Sequence, residues 1–426
     1  MRCSPALLLA TTALAGAVLP ASASAASWTP SRAATSRGVA FEPSVAADAR
    51  GRLAMGWMRR LGSDNRAEVR QGTLRAGLRG DANVLDSVAR NMDSVTVGFG
   101  ADGVLAVMWR RLLNRAQRIR GATVSTGGST SGPFELTGDG TQSAYDPRLV
   151  AGADGSLRGV WARRSTSESA LVTGTSFGSP VALPSPGNGV APAVVVDRDG
   201  TTVVAWADRG RMLTAQAPAG GAFGPTVALA DLGYARDPQL ALTAAGAVVA
   251  VWTASAGHGN ALIGAVRPPG EAGFGAGFPI VGETAHATGP RLAATSAGEV
   301  LVAYVSSRTE RAYGSSSGRV QMARLGADGR PAGGPPVLLS PDGVRAISPA
   351  IAADGTGSAF AGWADARPGR RAVQVRRIAP GAILGAVRTL GGGDIASSAP
   401  PVLAGAAGRG VAAWVRSGHV RYSVYR

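Results

Sequence analysis

Arg59, Arg60, Arg110, Arg111, Arg163, Arg164, Asp208, Arg209, Arg308, Asp365, Arg367 and Arg416 all lie one to four residues beyond a recurring tryptophan or tyrosine. A guanidinium is a fixed cation with a planar fork of donors that fits carboxylates, sulfates and phosphates. Repeated at one structural position, it is chemistry for holding an anion. Glu42, Asp93, Asp146 and Asp237 are expected at the same end of the repeat units. Exposed ion pairs within a unit, Glu42 with Arg59 and Asp146 with Arg163, are therefore the competing use of these charges.

Catalytic groups are sparse. His258, His286 and His419 fall in different repeats without metal-ligand spacing. There is no Gly-x-Ser-x-Gly elbow, His-Glu-x-x-His pair or phosphate loop. Asp197-Arg198-Asp199-Gly200 spaces two carboxylates as a calcium loop would, yet no distal Glu follows, and only three of eight turns carry Asp directly before Gly. The expectation is no metal, no cofactor and no assigned catalytic residue. Carboxylates assembled from distant repeats keep a glycan-cleaving enzyme as the alternative.

The elements that position these charges are legible as a repeat. Trp57, Trp109, Trp161, Trp206, Trp252, Tyr304, Trp363 and Trp414 are each preceded six residues earlier by a glycine, from Gly51 to Gly408. Twelve residues before each aromatic stands an aliphatic, from Val45 to Val402. Fourteen before stands a proline in seven of eight copies, with Val95 the exception. Each copy reads as a strand opening after the proline, a glycine turn, and a second strand ending at the aromatic. A third and a fourth strand follow, as at 211–215 and 225–229, giving four antiparallel strands in about 50 residues, the size of one propeller blade. Second strands such as Val203-Val204-Ala205-Trp206 are apolar on both faces, so the sheets are covered on both sides.

The expected fold is therefore all-β: an eight-bladed β-propeller of four-stranded antiparallel blades. The eighth copy runs out of residues after 419–425, while Trp28-Thr29-Pro30-Ser31-Arg32 stands where an outer strand should. The N-terminal strand is expected to close the ring and cover an open edge.

Of 426 residues, 61 are Gly, 26 Pro, 16% charged and 45% hydrophobic. That excludes a disordered polyelectrolyte. All 43 basic residues are Arg, and against 27 acids they leave +16. Residues 1–25 have the build of a signal peptide, with an apolar run from Ala6 to Leu19 and small residues at Ala23 and Ala25. The expected products are an exported, extracellular single domain over 26–426, no membrane span, and no disulfide, since Cys3 precedes the apolar run.

The blade pattern Pro-x-aliphatic-Ala-x-Asp-x-x-Gly…Ala-Trp, as in Pro43-Ser44-Val45-Ala46-Ala47-Asp48-Ala49-Arg50-Gly51 running to Trp57, resembles secreted bacterial β-propeller repeat proteins. The resemblance implies fold and export, not an activity. A sialidase turn, Ser-x-Asp-x-Gly-x-x-Trp, is absent, because the glycine-to-aromatic gap is six in every copy.

The functional expectation is a non-catalytic binder of a protein or of an anionic glycan or envelope polymer, monomeric, on an Arg-rich face. Its candidate residues are Arg59, Arg60, Arg111, Arg163, Arg164, Arg209, Arg308, Arg311, Tyr313, Arg367 and Arg416. The long connection after Tyr304 carries three of them, Arg308, Arg311 and Tyr313, and such insertions often set specificity. Nucleic acid is disfavoured, because export removes the target and Arg is not interleaved with exposed aromatics. A structural scaffold without a small ligand is the third alternative.

Overall fold

The computed structural model describes residues 26–35, 37–89, 91–113, 115–138, 143–163, 167–173, 176–183, 192–230, 234–256, 259–283, 286–307, 318–369, 371–392 and 401–426. Among these the strands form eight antiparallel sheets of four or five strands. In chain order they span 39–88, 92–135, 144–183, 193–230, 234–281, 288–338, 346–392 and 402–425. The eighth sheet contains only three strands of its own segment, and its outer strand is Arg32–Ala33 from the other end of the chain. Arg32 pairs with Tyr422, Thr29 N–H donates to Val424 O at 2.8 Å, and Ala34 N–H to Val420 O at 2.9 Å. No described helix is long and apolar enough to cross a membrane.

Alternation along the strands explains why both faces of each sheet are apolar. In the first sheet Leu53 packs with Val411 and Val424 of the eighth, while its neighbour Ala54 packs with Val97 and Leu105 of the second. Further apolar clusters join the second sheet to the third, and so on to the seventh and eighth. The repeat aromatics are the largest side chains in this packing: Trp57, Trp109, Trp161, Trp206, Trp252, Tyr304, Trp363 and Trp414 are all fully buried. Truncating one to Ala would cost roughly 3–5 kcal/mol.

In the fourth and eighth sheets the first strands Ala193–Val196 and Val402–Ala406 open after the proline, as the pattern predicted, but in five others they run through it, as Val39–Ala47 and Tyr234–Leu242 do. What allows this is a bulge. Phe41 pairs with Met58 and Ser44 with Gly56, so Glu42 and Pro43 together face the single residue Trp57. The same two-against-one count recurs opposite Trp109, Trp161, Trp252, Tyr304 and Trp363. At each bulge the first residue is left-handed: Glu42 (φ 49°), Ser94 (57°), Asp146 (49°), Asp237 (54°), Gly289 (60°) and Ser348 (53°). A bulged position leaves the ladder, so a proline with no N–H is tolerated there. The fourteen-residue spacing from proline to aromatic is thus the register of one bulged hairpin. At its other end Gly51 (φ 74°) donates its N–H to Asp48 O at 2.8 Å and closes the turn.

Candidate functional site

Each sheet has a turn end, carrying the Gly51-type hairpin, and a bulge end, where second strands finish. The predicted arginines among the described residues lie at the bulge end, and most are tied within their own sheet. Arg59 does not pair with Glu42. It donates Nε–H to Glu68 Oε1 at 2.8 Å, on the adjoining third strand. Glu68 Oε2 accepts the Trp57 indole N–H at 2.9 Å. The third sheet repeats this arrangement: Glu168 accepts from Trp161 at 2.9 Å and forms an ion pair with Arg163 at 3.2 Å, in place of Asp146. Arg163 also donates to Thr137 O. The cause is register, because the residue directly across from the aromatic points the same way and reaches both donors. Gln374 serves Trp363 at 2.8 Å and Gln321 accepts from Tyr304 at 2.9 Å.

In the second sheet Arg110 donates to Asp93 at 2.6 Å and lies over the Tyr145 ring at 5.6 Å. That hydrogen bond raises the Arg110 guanidinium above its ordinary value. Arg111 and Arg120 share Asp86 at 3.3 and 2.9 Å. Arg367 binds Asp365 at 2.7 Å. Arg60 reaches only the amide oxygen of Asn65, at 3.4 Å. Arg209 and Arg416 are exposed and make no hydrogen bond or ion pair among the described residues. Arg164, Arg308, Arg311 and Tyr313 lie outside the described residues.

The bulges add side chains that the arginine list omits. Glu42 accepts the N–H of Ser94 from the next sheet. Burial first, then Asp93, raises the Glu42 carboxyl, against that hydrogen bond and Arg110. Arg148 and Arg291 follow the bulge prolines of the third and sixth sheets. Burial lowers both guanidiniums; Arg148 additionally lowers Arg291, while Asp146 and Asp237 oppose these shifts. Both side chains nonetheless keep wide solvent contact. The sequence signal for them is the residue after the repeat-proline position, Val95 in the second copy: Ser44, Thr96, Ala193, Gln239, Ala350 and Pro401 in six copies, Arg in two.

At the turn end, a cavity of about 580 Å³ lies between the fourth and fifth sheets, beside Thr201, Gln216 and Phe274. Arg267 on its wall donates to Asp197 at 2.6 Å and to Gln216 at 3.2 Å. We read this cavity as part of the seam between the sheets.

No protein-family model matches the chain, and no curated protein does. Among solved structures, the Dos1 propeller is similar over 93% of this chain and 94% of its own, at 10% identity and a TM-score of 0.55. A protein of unknown function from Dyadobacter fermentans DSM 18053 aligns over 94% of this chain and 99% of its own, at 13% identity and a TM-score of 0.47. Hadza microbial sialidase Hz136 aligns over 92% and 94%, at 13% identity and a TM-score of 0.41. The likeness to the Dos1 propeller, with the repeated four-stranded sheets, shows the fold. The chain is a β-propeller.

Proposed function

We propose that this chain is an exported, closed eight-bladed propeller that binds an anionic partner, a glycan or an acidic protein surface, at its bulge end, without catalysis. Closure is supported by the apolar clusters that pass from sheet to sheet and from the eighth back to the first. One observation carries the binding reading: after the ion pairs are formed, Arg60, Arg209 and Arg416 remain exposed at that end with no carboxylate partner among the described residues. Clustered unpaired cations raise the local concentration of anions. Arg59, Arg111, Arg163 and Arg367 act mainly by shaping this surface.

The test is a titration with polygalacturonate and dextran sulfate, with neutral dextran as control, at rising NaCl. Binding of the acidic polymers that weakens steeply with salt is expected. Equal affinity for neutral dextran, or no binding to either acidic polymer at low salt, would sink the reading. A second reading, glycan cleavage, has one observation in its favour: Glu42 is an exposed carboxyl raised above its ordinary value, as a general acid should be. Release of shortened chains from the same polymers, lost in Glu42→Gln, would establish it.

A further inference from the structure

Seven of the eight tryptophans are the fully buried repeat residues, and the eighth, Trp28, is only half-buried. It stands on the segment that completes the eighth sheet and forms a bridge with Tyr425. Tyr425 pairs with Gly410, two residues past the Gly408 turn, so this place lies toward the turn end. Beside it runs the outer edge of the seventh sheet, which is split into two short strands, Ile383–Leu384 and Arg388–Gly392. Two cavities of about 330 and 380 Å³ open between that edge and the N-terminal segment. Ser27, Trp28 and Arg388 line both, so the two adjoin as one groove along the seam.

The groove is built on aromatic rings. Trp28 meets Phe360 at 5.4 Å and Tyr425 at 5.7 Å, and Phe360 meets Tyr425 at 5.0 Å. Ile383, 68% exposed, continues the apolar surface. Rigid rings of this kind offer the C–H face of a sugar ring a flat apolar support. The charges on the walls are all of one sign, since no Asp or Glu lines either cavity among the described residues. Arg377 is already engaged: it donates to Ser358 Oγ at 2.7 Å and lies over the Tyr425 ring at 5.9 Å. Arg388 is exposed and makes no hydrogen bond or ion pair among the described residues. Arg426 pairs its backbone with Ser27 at 2.9 and 3.2 Å and lines neither cavity. A free guanidinium beside an apolar ring surface suits a ligand that joins a flat hydrocarbon face to a planar oxyanion. Cavities of a few hundred Å³ hold small ligands, and two in line suit neighbouring rings of one saccharide.

We propose that the seam between the seventh and eighth sheets binds an acidic oligosaccharide, with Trp28 supporting a sugar ring and Arg388 holding the carboxylate of a uronate. This site is separate from the bulge-end surface and does not depend on the reading given for it. The N-terminal segment thus supplies a ligand contact as well as a strand.

The experiment follows acrylamide quenching of tryptophan fluorescence, which reports chiefly on Trp28 because the other seven are buried. Tetragalacturonate is the probe, with maltotetraose and tetraglutamate as controls, and calorimetry gives the affinities. Tetragalacturonate should protect wild type from quenching, and Trp28→Phe should abolish that optical response. Arg388→Gln should weaken binding about tenfold or more without lowering the thermal midpoint, while Arg50→Gln, also at the turn end, leaves binding unchanged. Absence of protection in wild type, a response that survives Trp28→Phe, or an affinity unchanged in Arg388→Gln overturns the site. Equal protection by maltotetraose overturns the requirement for an acid, and equal protection by tetraglutamate overturns the assignment to a saccharide. Failure of the long acidic polymers to bind the bulge end leaves this site standing, because the tetramer is read at Trp28.

Discussion

The indole N–H of Trp57 and the guanidinium of Arg59 converge on opposite oxygens of one carboxylate, Glu68, which is fully buried. Removing that acceptor leaves two buried donors unmatched. Glu68→Ala should destabilise the protein by about 3 kcal/mol, and Glu68→Gln by about 1 kcal/mol, since Gln374 fills this role for Trp363. Chemical denaturation of the two variants checks the order. Equal losses would show that the carboxylate is not an acceptor of consequence.

Trp206 supplies the matched comparison. Leu213 stands across from it, and its indole nitrogen is buried without a partner among the described residues. Trp206→Phe therefore removes volume and an orphan donor, whereas Trp57→Phe removes volume and a bond. The second change should be the more destabilising by about 1–3 kcal/mol, read from paired denaturation curves.

Glu42 should give the bulge end a pH signature. Its carboxyl is raised in the folded state, chiefly by burial. A raised acid contributes stability that is complete below its unfolded value of about 4.3 and is lost as pH rises through the folded value. Glu42→Gln should thus melt higher than wild type at pH 7 and equally at pH 3. A gap of the same size at both pH values would contradict this.

Trp28 packs edge-on against Phe360 of the seventh sheet at 5.4 Å and Tyr425 of the eighth at 5.7 Å. Trp28→Ala should cost about 2–3 kcal/mol. Deleting residues 26–33 should do more, because the strand His419–Tyr425 then presents a bare edge. Light scattering on warming should show the truncated chain associating below the melting temperature of wild type.

The repeat spacing was sufficient to read the glycine turns and the buried aromatics, because those follow from local register and the apolar pattern, but not the fifth strand of three sheets, where two short strands share one edge of the third strand. The bulge was not legible from the same spacing. A proline fourteen residues before Trp57 suits a strand start as well as a strand that bulges at Glu42, and only the pairing of Phe41 and Ser44 separates them. The arginine partners were missed for a related reason. Glu68 lies eleven residues past Trp57 but Glu168 seven past Trp161, because the connection between second and third strands varies in length.

The pairing of Arg32 with Tyr422 joins partners 390 positions apart. During synthesis the segment around Arg32 has no mate until the ribosome has delivered Tyr422, and the eighth sheet cannot assemble earlier. Nascent protein stalled short of that point would hold several finished sheets beside an unmatched strand. The vulnerable interval for a chaperone to guard is therefore the one before the strand His419–Tyr425 emerges.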